Sequence, residues 1–483
     1  MRLASKIALN TIVHTAGKFG ASIVGLLIVA ILTRHLGVSG YGQYITVFSY
    51  LFFFAVLSDL GLYVVVVNEL KRSRFGEEVF LNNIFTLRAS SATALMILAS
   101  GLVWFFPYDI TIKLGVVFAS IAIWLNLLDQ IMVAFFQNRA DMKRVAIAEI
   151  VGKLAILVLT VAAVYNKMGL ITILIITVVG GLVNCVINFN YLLKFVRVKL
   201  AFNQEVWKEI FKLSWPVAVT SVFSLIYFKV DTLFLSVLPV NEIYAATRSE
   251  AVGIYGAPYK ILEVLIGWPA IFMGLVSPSL SKAWAENRAE DFKRLFKRAL
   301  AGLLMVVLPM IVGAAVLAKP LIAFVAGQEF AQSAPILQIL IWATGIIFLS
   351  HLTTYALIAL NKQKEMIKYY ILAAVLAVAG YLFFIPSYSY FAAAVITVLV
   401  EFFMLITTTV LLRRNMAIGV DLKLLGKAAL ATLVMGMVLW FFRDVKVVIL
   451  AIVGAGVYLL MLYLLKGMDR EVMREMVGRE IKK

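Results

Sequence analysis

The chain has 483 residues, 63% of them apolar and only 14% charged, whereas soluble domains carry about a quarter charged residues. A water-soluble globular protein is thereby excluded, and the composition is that of a polytopic membrane protein. The formal net charge of +18 would suit a nucleic-acid binder, but the basic residues sit in short segments between apolar runs, where they serve as orientation signals; no nucleic-acid partner is expected.

With about 20 apolar residues per crossing, fourteen spans are expected. They lie near 11–33, 41–67, 83–106, 113–137, 145–165, 169–193, 213–238, 250–278, 299–319, 334–361, 367–386, 389–412, 426–442 and 446–465. Arg2 and Lys6 precede an apolar stretch that runs to Leu32 without a small-residue cleavage site, so it reads as the first span and not a signal peptide. The fold class expected is an all-α polytopic membrane protein of about 14 transmembrane helices, arranged as two six-helix lobes plus two C-terminal helices.

Alternate connections differ sharply in basic content. Those on the side of the N-terminus hold 32 Lys and Arg, those on the other side 7, which places both termini in the cytoplasm and the protein in the cell (cytoplasmic) membrane. Five basic residues fall inside spans: Lys18, Arg88, Lys153, Lys229 and Lys260. The single cysteine, Cys185, lies in an apolar run and reads as packing filler, so neither a disulfide framework nor a cysteine metal site is available.

Two cytoplasmic connections are amphipathic. In "FNQEVWKEIFK" (202–212), Phe202, Val206 and Ile210 recur every fourth residue behind an Asn203 cap. In "SLSKAWAENRAEDFKRLFKRAL" (279–300), Leu280, Trp284, Phe292, Leu295 and Phe296 share one face opposite many basic residues. Both are expected to lie flat on the anionic inner leaflet. "GYGQY" (40–44) opens the second span and "GIYGAPY" (253–259) the eighth, an internal repeat of six spans per unit. Repeats that both begin on the cytoplasmic side are related by an axis along the membrane normal, a transporter arrangement. The domain division that follows is 1–198, 199–415 and 416–483, the last holding two added spans and a basic tail.

The block "LSWPVAVTSVFSLIYFKVDTLFLS", continued by "EAVGIYGAPYKILEVLIGWPAIFMGLVSPSLSKAW", resembles the seventh and eighth spans of polysaccharide-biosynthesis membrane proteins. These are the Wzx-type flippases of the multidrug/oligosaccharidyl-lipid/polysaccharide exporter superfamily. The opening "ALNTIVHTAGKFGASIVGLLIVAILTRHLGVSGYGQY" is similar to their first span and the turn into the second. The resemblance implies two six-helix lobes around a central cavity lined by basic residues. It also implies alternating access that moves a polyprenyl-pyrophosphate oligosaccharide outward, with membrane lipid and other polysaccharide-assembly proteins as partners. A cation-coupled multidrug exporter shares the architecture, and a membrane polysaccharide polymerase or ligase is a third reading, disfavoured by the short outer loops.

A charge near the centre of a spanning helix costs roughly 2.5–3.5 kcal/mol, so each intramembrane charge needs a reason. Lys229 lies about three-fifths of the way outward along its span, too far from either end to snorkel easily, and fits the anionic head of the lipid. Asp231 is about 200° away from it around the helix, so its partner must come from another helix or water. Lys18 sits between Gly17 and Gly20, whose missing side chains allow close helix approach or leave open space. Arg88 is near its cytoplasmic end, where snorkelling competes with a cavity role. Lys153 has Glu149 one turn before it and Lys260 has Glu263 three residues on, so each is a candidate for binding substrate in the cavity, with a local ion pair as the rival reading.

The carboxylates Asp59, Asp129, Asp231, Glu263 and Glu401 are candidates either to bind a coupling H+ or Na+ or to balance the basic residues. Asp59 and Asp129 share the expected depth of Lys18 and Arg88, which favours balancing. His351 reads as a satisfied interior histidine. The chain contains no G-x-x-x-x-G-K-[ST], no H-E-x-x-H and no D-x-D, so it is expected not to be an enzyme and to need no cofactor.

Overall fold

The computed structural model describes residues 2–139, 141–416, 419 and 422–467; the side chains of 2–16, 18, 19, 216, 217, 219–228, 270, 271 and 422 lie outside that description. The chain is helical and the described residues contain no strand. Long apolar runs have this outcome because hydrocarbon offers no partners for backbone N–H and C=O groups, and an α-helix satisfies them within one segment. In chain order the helices are α1 (Arg2–Asp59), α2 (Leu62–Glu69), α3 (Glu77–Leu102), α4 (Ile110–Asn138), α5 (Met142–Tyr165), α6 (Leu170–Leu192) and α7 (Gln204–Val237). They continue as α8 (Arg248–Ala285), α9 (Ala289–Val316), α10 (Ala318–Val325), α11 (Ser333–Ala359), α12 (Gln363–Asn415), α13 (Leu422–Phe441) and α14 (Val447–Leu464).

Among the described residues, 11 helices are long and apolar enough to cross a membrane. Two of them contain a break. α1 departs from helical geometry at Gly37 (φ 65°, ψ −176°), a conformation glycine adopts without the clash a Cβ would bring. α12 does so at Ser389 (φ 49°). Each break separates two apolar rods, and α7 supplies a further one, so the fourteen expected spans each correspond to a helical segment. The second span is built from the end of α1 and from α2, joined through Leu60 and Gly61, both at positive φ.

The chain forms two compact units. The first comprises 1–256, 325–329 and 370–393; the second comprises 257–324, 330–369 and 394–483. In the first unit one core gathers Leu62, Phe80, Ile84, Phe135 and Leu192 with Val206 and Ile210 of α7, and a second gathers Tyr50, Leu51, Val103, Tyr108 and Ile112. In the second unit α13 and α14 pack against the end of α9 through Leu317, Ala431, Met435, Leu450 and Tyr458.

The expected Asn203 cap is present: its side chain accepts from Glu205 N at 2.9 Å and Val206 N at 3.3 Å. The expectation for the helix that follows needs correction. Val206 and Ile210 are fully enclosed in the first core, while Phe202 is exposed and packs on Trp207. In 279–300, Leu280, Phe292 and Phe296 are likewise buried within the protein. Val206, Ile210, Leu280, Phe292 and Phe296 of these stripes are therefore covered by protein, while Phe202 is left exposed. Periodicity announces that a stripe is covered but does not say by what.

Candidate functional site

The first unit holds most of the intramembrane charges. Arg88 of α3 is completely buried. Its Nε donates to Leu127 O at 2.9 Å, its Nη2 to Gln130 Oε1 at 2.6 Å, and its Nη1 lies 2.8 Å from Asp59 Oδ1, an ion pair without linear hydrogen-bond alignment. One guanidinium thus ties the end of α1 and the middle of α4 to α3, the use to which a rigid fork of five donors is suited. The group does not snorkel and has no exposed surface, its donors being directed at protein groups. Asp59 balances it, as the shared depth suggested.

Asp129 of α4 has no such cation. Its Oδ1 accepts from Asn188 at 2.8 Å and its Oδ2 from Asn184 at 3.0 Å, both on α6. The sequence favours balancing of this carboxylate by a lysine or arginine, and in the structure amide donors take that place. Cys185, between the two asparagines, packs against the first core as a partly buried apolar group.

Lys153 of α5 donates to the backbone oxygen of Ala21 at 3.0 Å and keeps Glu149 within 3.8 Å. α1 runs close beside α5 because of Gly17: a Cβ there would stand 2.6 Å from that of Ala146, whereas one at Gly20 would meet nothing within 4 Å. The two alternatives raised for these glycines therefore both occur, one at each residue. The Lys18 side chain between them lies outside the described residues.

In α7, Asp231 is 1% exposed. Tyr255 of α8 donates to its Oδ2 at 2.5 Å, and the backbone N–H of Thr232 to its Oδ1 at 2.6 Å. The partner from another helix is found, and it is a phenol. Lys229 is only half-buried and its ammonium stands 6.0 Å from the ring centre of Phe52 on α1. The two charges of one short stretch thus occupy different surroundings, as the angle between them requires.

Near these residues the two glycine motifs meet. A Cβ at Gly42 would lie 1.7 Å from Ser249 O and 2.8 Å from Gly253 N, and one at Gly253 would lie 2.1 Å from Val38 O. The start of α8 is also anchored by Arg248, which donates to Leu238 O at 3.1 Å and Pro107 O at 3.3 Å. Beside Pro107, the Tyr108 hydroxyl hydrogen-bonds Ser236 at 2.8 Å, and burial pushes its pKa up to about 12. Neither of these loop contacts, nor the Tyr255 partner, carried a signal in the sequence.

In the second unit Lys260 and Glu263 pair at 2.6 Å within α8, both about one-third exposed. His351 Nδ1 lies 2.9 Å from Ile347 O in its own helix, and its ring stacks 6.4 Å from that of Tyr355; it is satisfied internally. Glu401 of α12 is 4% exposed, and among the described residues it has neither a hydrogen bond nor an ion pair.

The fold, with its apolar rods and buried charges, is that of a multi-pass membrane protein and is of the all-helical type seen in three solved structures. The lipid II flippase MurJ in an inward closed conformation is 16% identical over 97% of this chain and 100% of that one, with a TM-score of 0.77. A multidrug resistance MATE family transporter of the MOP superfamily, in an inward-facing conformation, is 14% identical over 84% and 98%, with a TM-score of 0.65. A MOP superfamily transporter from Pyrococcus furiosus is 13% identical over 84% and 95%, with a TM-score of 0.60. A family profile described as polysaccharide biosynthesis protein matches residues 7–284, and the chain belongs to that family. No curated protein matches the sequence.

Proposed function

We propose that this protein flips a polyprenyl-pyrophosphate-linked oligosaccharide from the cytoplasmic to the outer leaflet by alternating access, for assembly of a surface polysaccharide or other glycan. The observation that carries this reading is Lys229. Its side chain is half-buried on a helix that the sequence reads as a membrane span, with the ammonium 6.0 Å from the ring centre of Phe52. A pyrophosphate-bearing sugar is too polar for hydrocarbon and its polyprenyl tail too apolar for water, so the head needs a wet, cationic cavity. Lys18, Lys153 and Lys229 are the residues assigned to it, with H+ or Na+ as the coupling ion.

Membership of the polysaccharide biosynthesis family and the likeness to a lipid flippase support this assignment. The likeness to a multidrug transporter keeps export of drugs as the second reading, and lysines in the cavity argue against it because they repel cationic substrates. The test is flipping of a defined, fluorescent polyprenyl-pyrophosphate oligosaccharide in liposomes containing the purified protein. Transfer to the leaflet accessible to an impermeant glycosidase is expected, at a rate that empty liposomes do not reach. Equal rates with and without the protein would remove the flippase reading.

A further inference from the structure

The described cation–ring pairs do not all sit at the same depth. Lys113 on Trp104 and Arg139 on Phe135, at 5.9 and 4.6 Å from the ring centres, lie at the ends of helices, where water is at hand. Lys229 on Phe52, at 6.0 Å, lies well inside α7 and the second half of α1, both of which the sequence reads as spans. A charge at that depth faces a bundle interior or a water-filled cavity and not lipid. Phe52 is 41% exposed, so the ring beside the ammonium has surface left open to whatever occupies that space.

The two helices bring ring and cation together by their spacing. Tyr44, Phe48 and Phe52 recur every fourth residue on one face of α1, as Lys229, Leu233 and Val237 do on α7. The Tyr44 and Phe48 rings meet at 4.8 Å, and both pack against the second core of the first unit, as Leu233 and Val237 do. Packing therefore accounts for two members of each stripe. Phe52 and Lys229 lie one turn beyond that packed part.

A sugar ring is amphipathic: its hydroxyls project around the edge while its faces carry C–H groups, and such a face stacks on an aromatic ring, whose own face is electron-rich. A polyprenyl tail would have to leave hydrocarbon to reach a ring that shares its surroundings with an ammonium. The sugar bonded directly to the pyrophosphate is held beside it by covalent structure. We propose that Phe52 is a specificity-determining residue, stacking on the first sugar of the lipid-linked cargo while Lys229 meets the adjoining pyrophosphate. The inference rests on the flippase reading and deepens it, because one ring and one cation on two helices read sugar and pyrophosphate together. A pyrophosphate lipid without a sugar meets the cation alone.

The test is binding of two probes, polyprenyl-pyrophosphate glucose and polyprenyl pyrophosphate, to the purified full-length protein. Phe52→Leu keeps an apolar side chain and removes the aromatic face. It is expected to raise Kd for the glucosylated lipid about three- to tenfold, the range of a face contact on an aromatic ring, with no change for the lipid lacking sugar. Phe52→Tyr should keep most of the preference, and if Phe52→Leu does not fold, Phe52→Met gives the same comparison. Equal losses for the two lipids would mean that the ring acts through Lys229 or on the tail, and no loss for either that it touches no cargo; each overturns the proposal. Wild-type protein that binds neither lipid would remove the flippase reading itself, an outcome distinct from both.

Discussion

Gly42 of α1 and Gly253 of α8 lie backbone against backbone, so close that a Cβ on Gly42 would stand 2.8 Å from the amide nitrogen of Gly253. Both belong to the motifs whose similarity suggests an internal repeat. The motifs are therefore also a contact, in which small residues let two helices approach as side chains would not permit.

The closeness gives a stability prediction. Gly42→Ala must displace Ser249 O, which is backbone and cannot rotate away, and overpacking of this kind costs about 1–3 kcal/mol. Thermal unfolding in detergent should show a lowered Tm. Gly20→Ala, in the same helix but with nothing within 4 Å of the new Cβ, should leave Tm unchanged or slightly raised. Similar Tm values for the two variants would contradict the close crossing.

Arg88 gives a second. Removing one partner of a buried ion pair leaves the other charge uncompensated and costs about 3–5 kcal/mol. Arg88→Ala should therefore be strongly destabilising, and pairing it with Asp59→Asn should recover part of the loss. Arg88→Lys should not restore stability fully, because a lysine cannot reach Asp59, Leu127 O and Gln130 with one planar group. Additive losses in the double variant would mean the two residues do not interact.

These residues show where sequence reading reaches and where it stops. The apolar segments are legible because spanning helices must be long and apolar, and the Asn203 cap and the Lys260–Glu263 pair are legible because their partners lie within one turn. The amides around Asp129 come from a helix some 55 residues on and the phenol on Asp231 from the next helix. No spacing rule selects such partners; they follow from which helix faces meet. The stripes of 202–212 and 279–300 read as lipid-facing for the same reason, since amphipathicity does not distinguish a leaflet from a protein core.

Transport should depend on the lysines. Lys18→Ala and Lys229→Ala are each expected to lower flipping while leaving the protein inserted and folded, because their proposed partner is the pyrophosphate. Arginine at either site should retain part of the activity, since charge survives although geometry changes. Wild-type rates in both alanine variants would show that neither lysine lines the path.

Orientation is tested by labelling in intact cells. In a Cys185→Ala background, cysteines placed at Arg139, Arg288 and Lys364 should be protected from an impermeant thiol reagent, and one at Val240 should react. That is the pattern implied by the 32-to-7 asymmetry of basic residues. The reverse pattern would place the termini outside.

The most direct measurement is the affinity of purified protein for two lipids that differ only in charge: a polyprenyl-pyrophosphate oligosaccharide and a neutral polyprenyl glycoside carrying the same sugar. At an effective dielectric near 20, one unit charge at about 4 Å is worth roughly 4 kcal/mol before desolvation, so even a largely cancelled interaction leaves a measurable ratio of Kd values. The pyrophosphate lipid should bind more tightly, and Lys229→Gln should shrink the preference. Equal affinities, or a preference for a lipophilic cation, would contradict the flippase reading and favour a drug exporter.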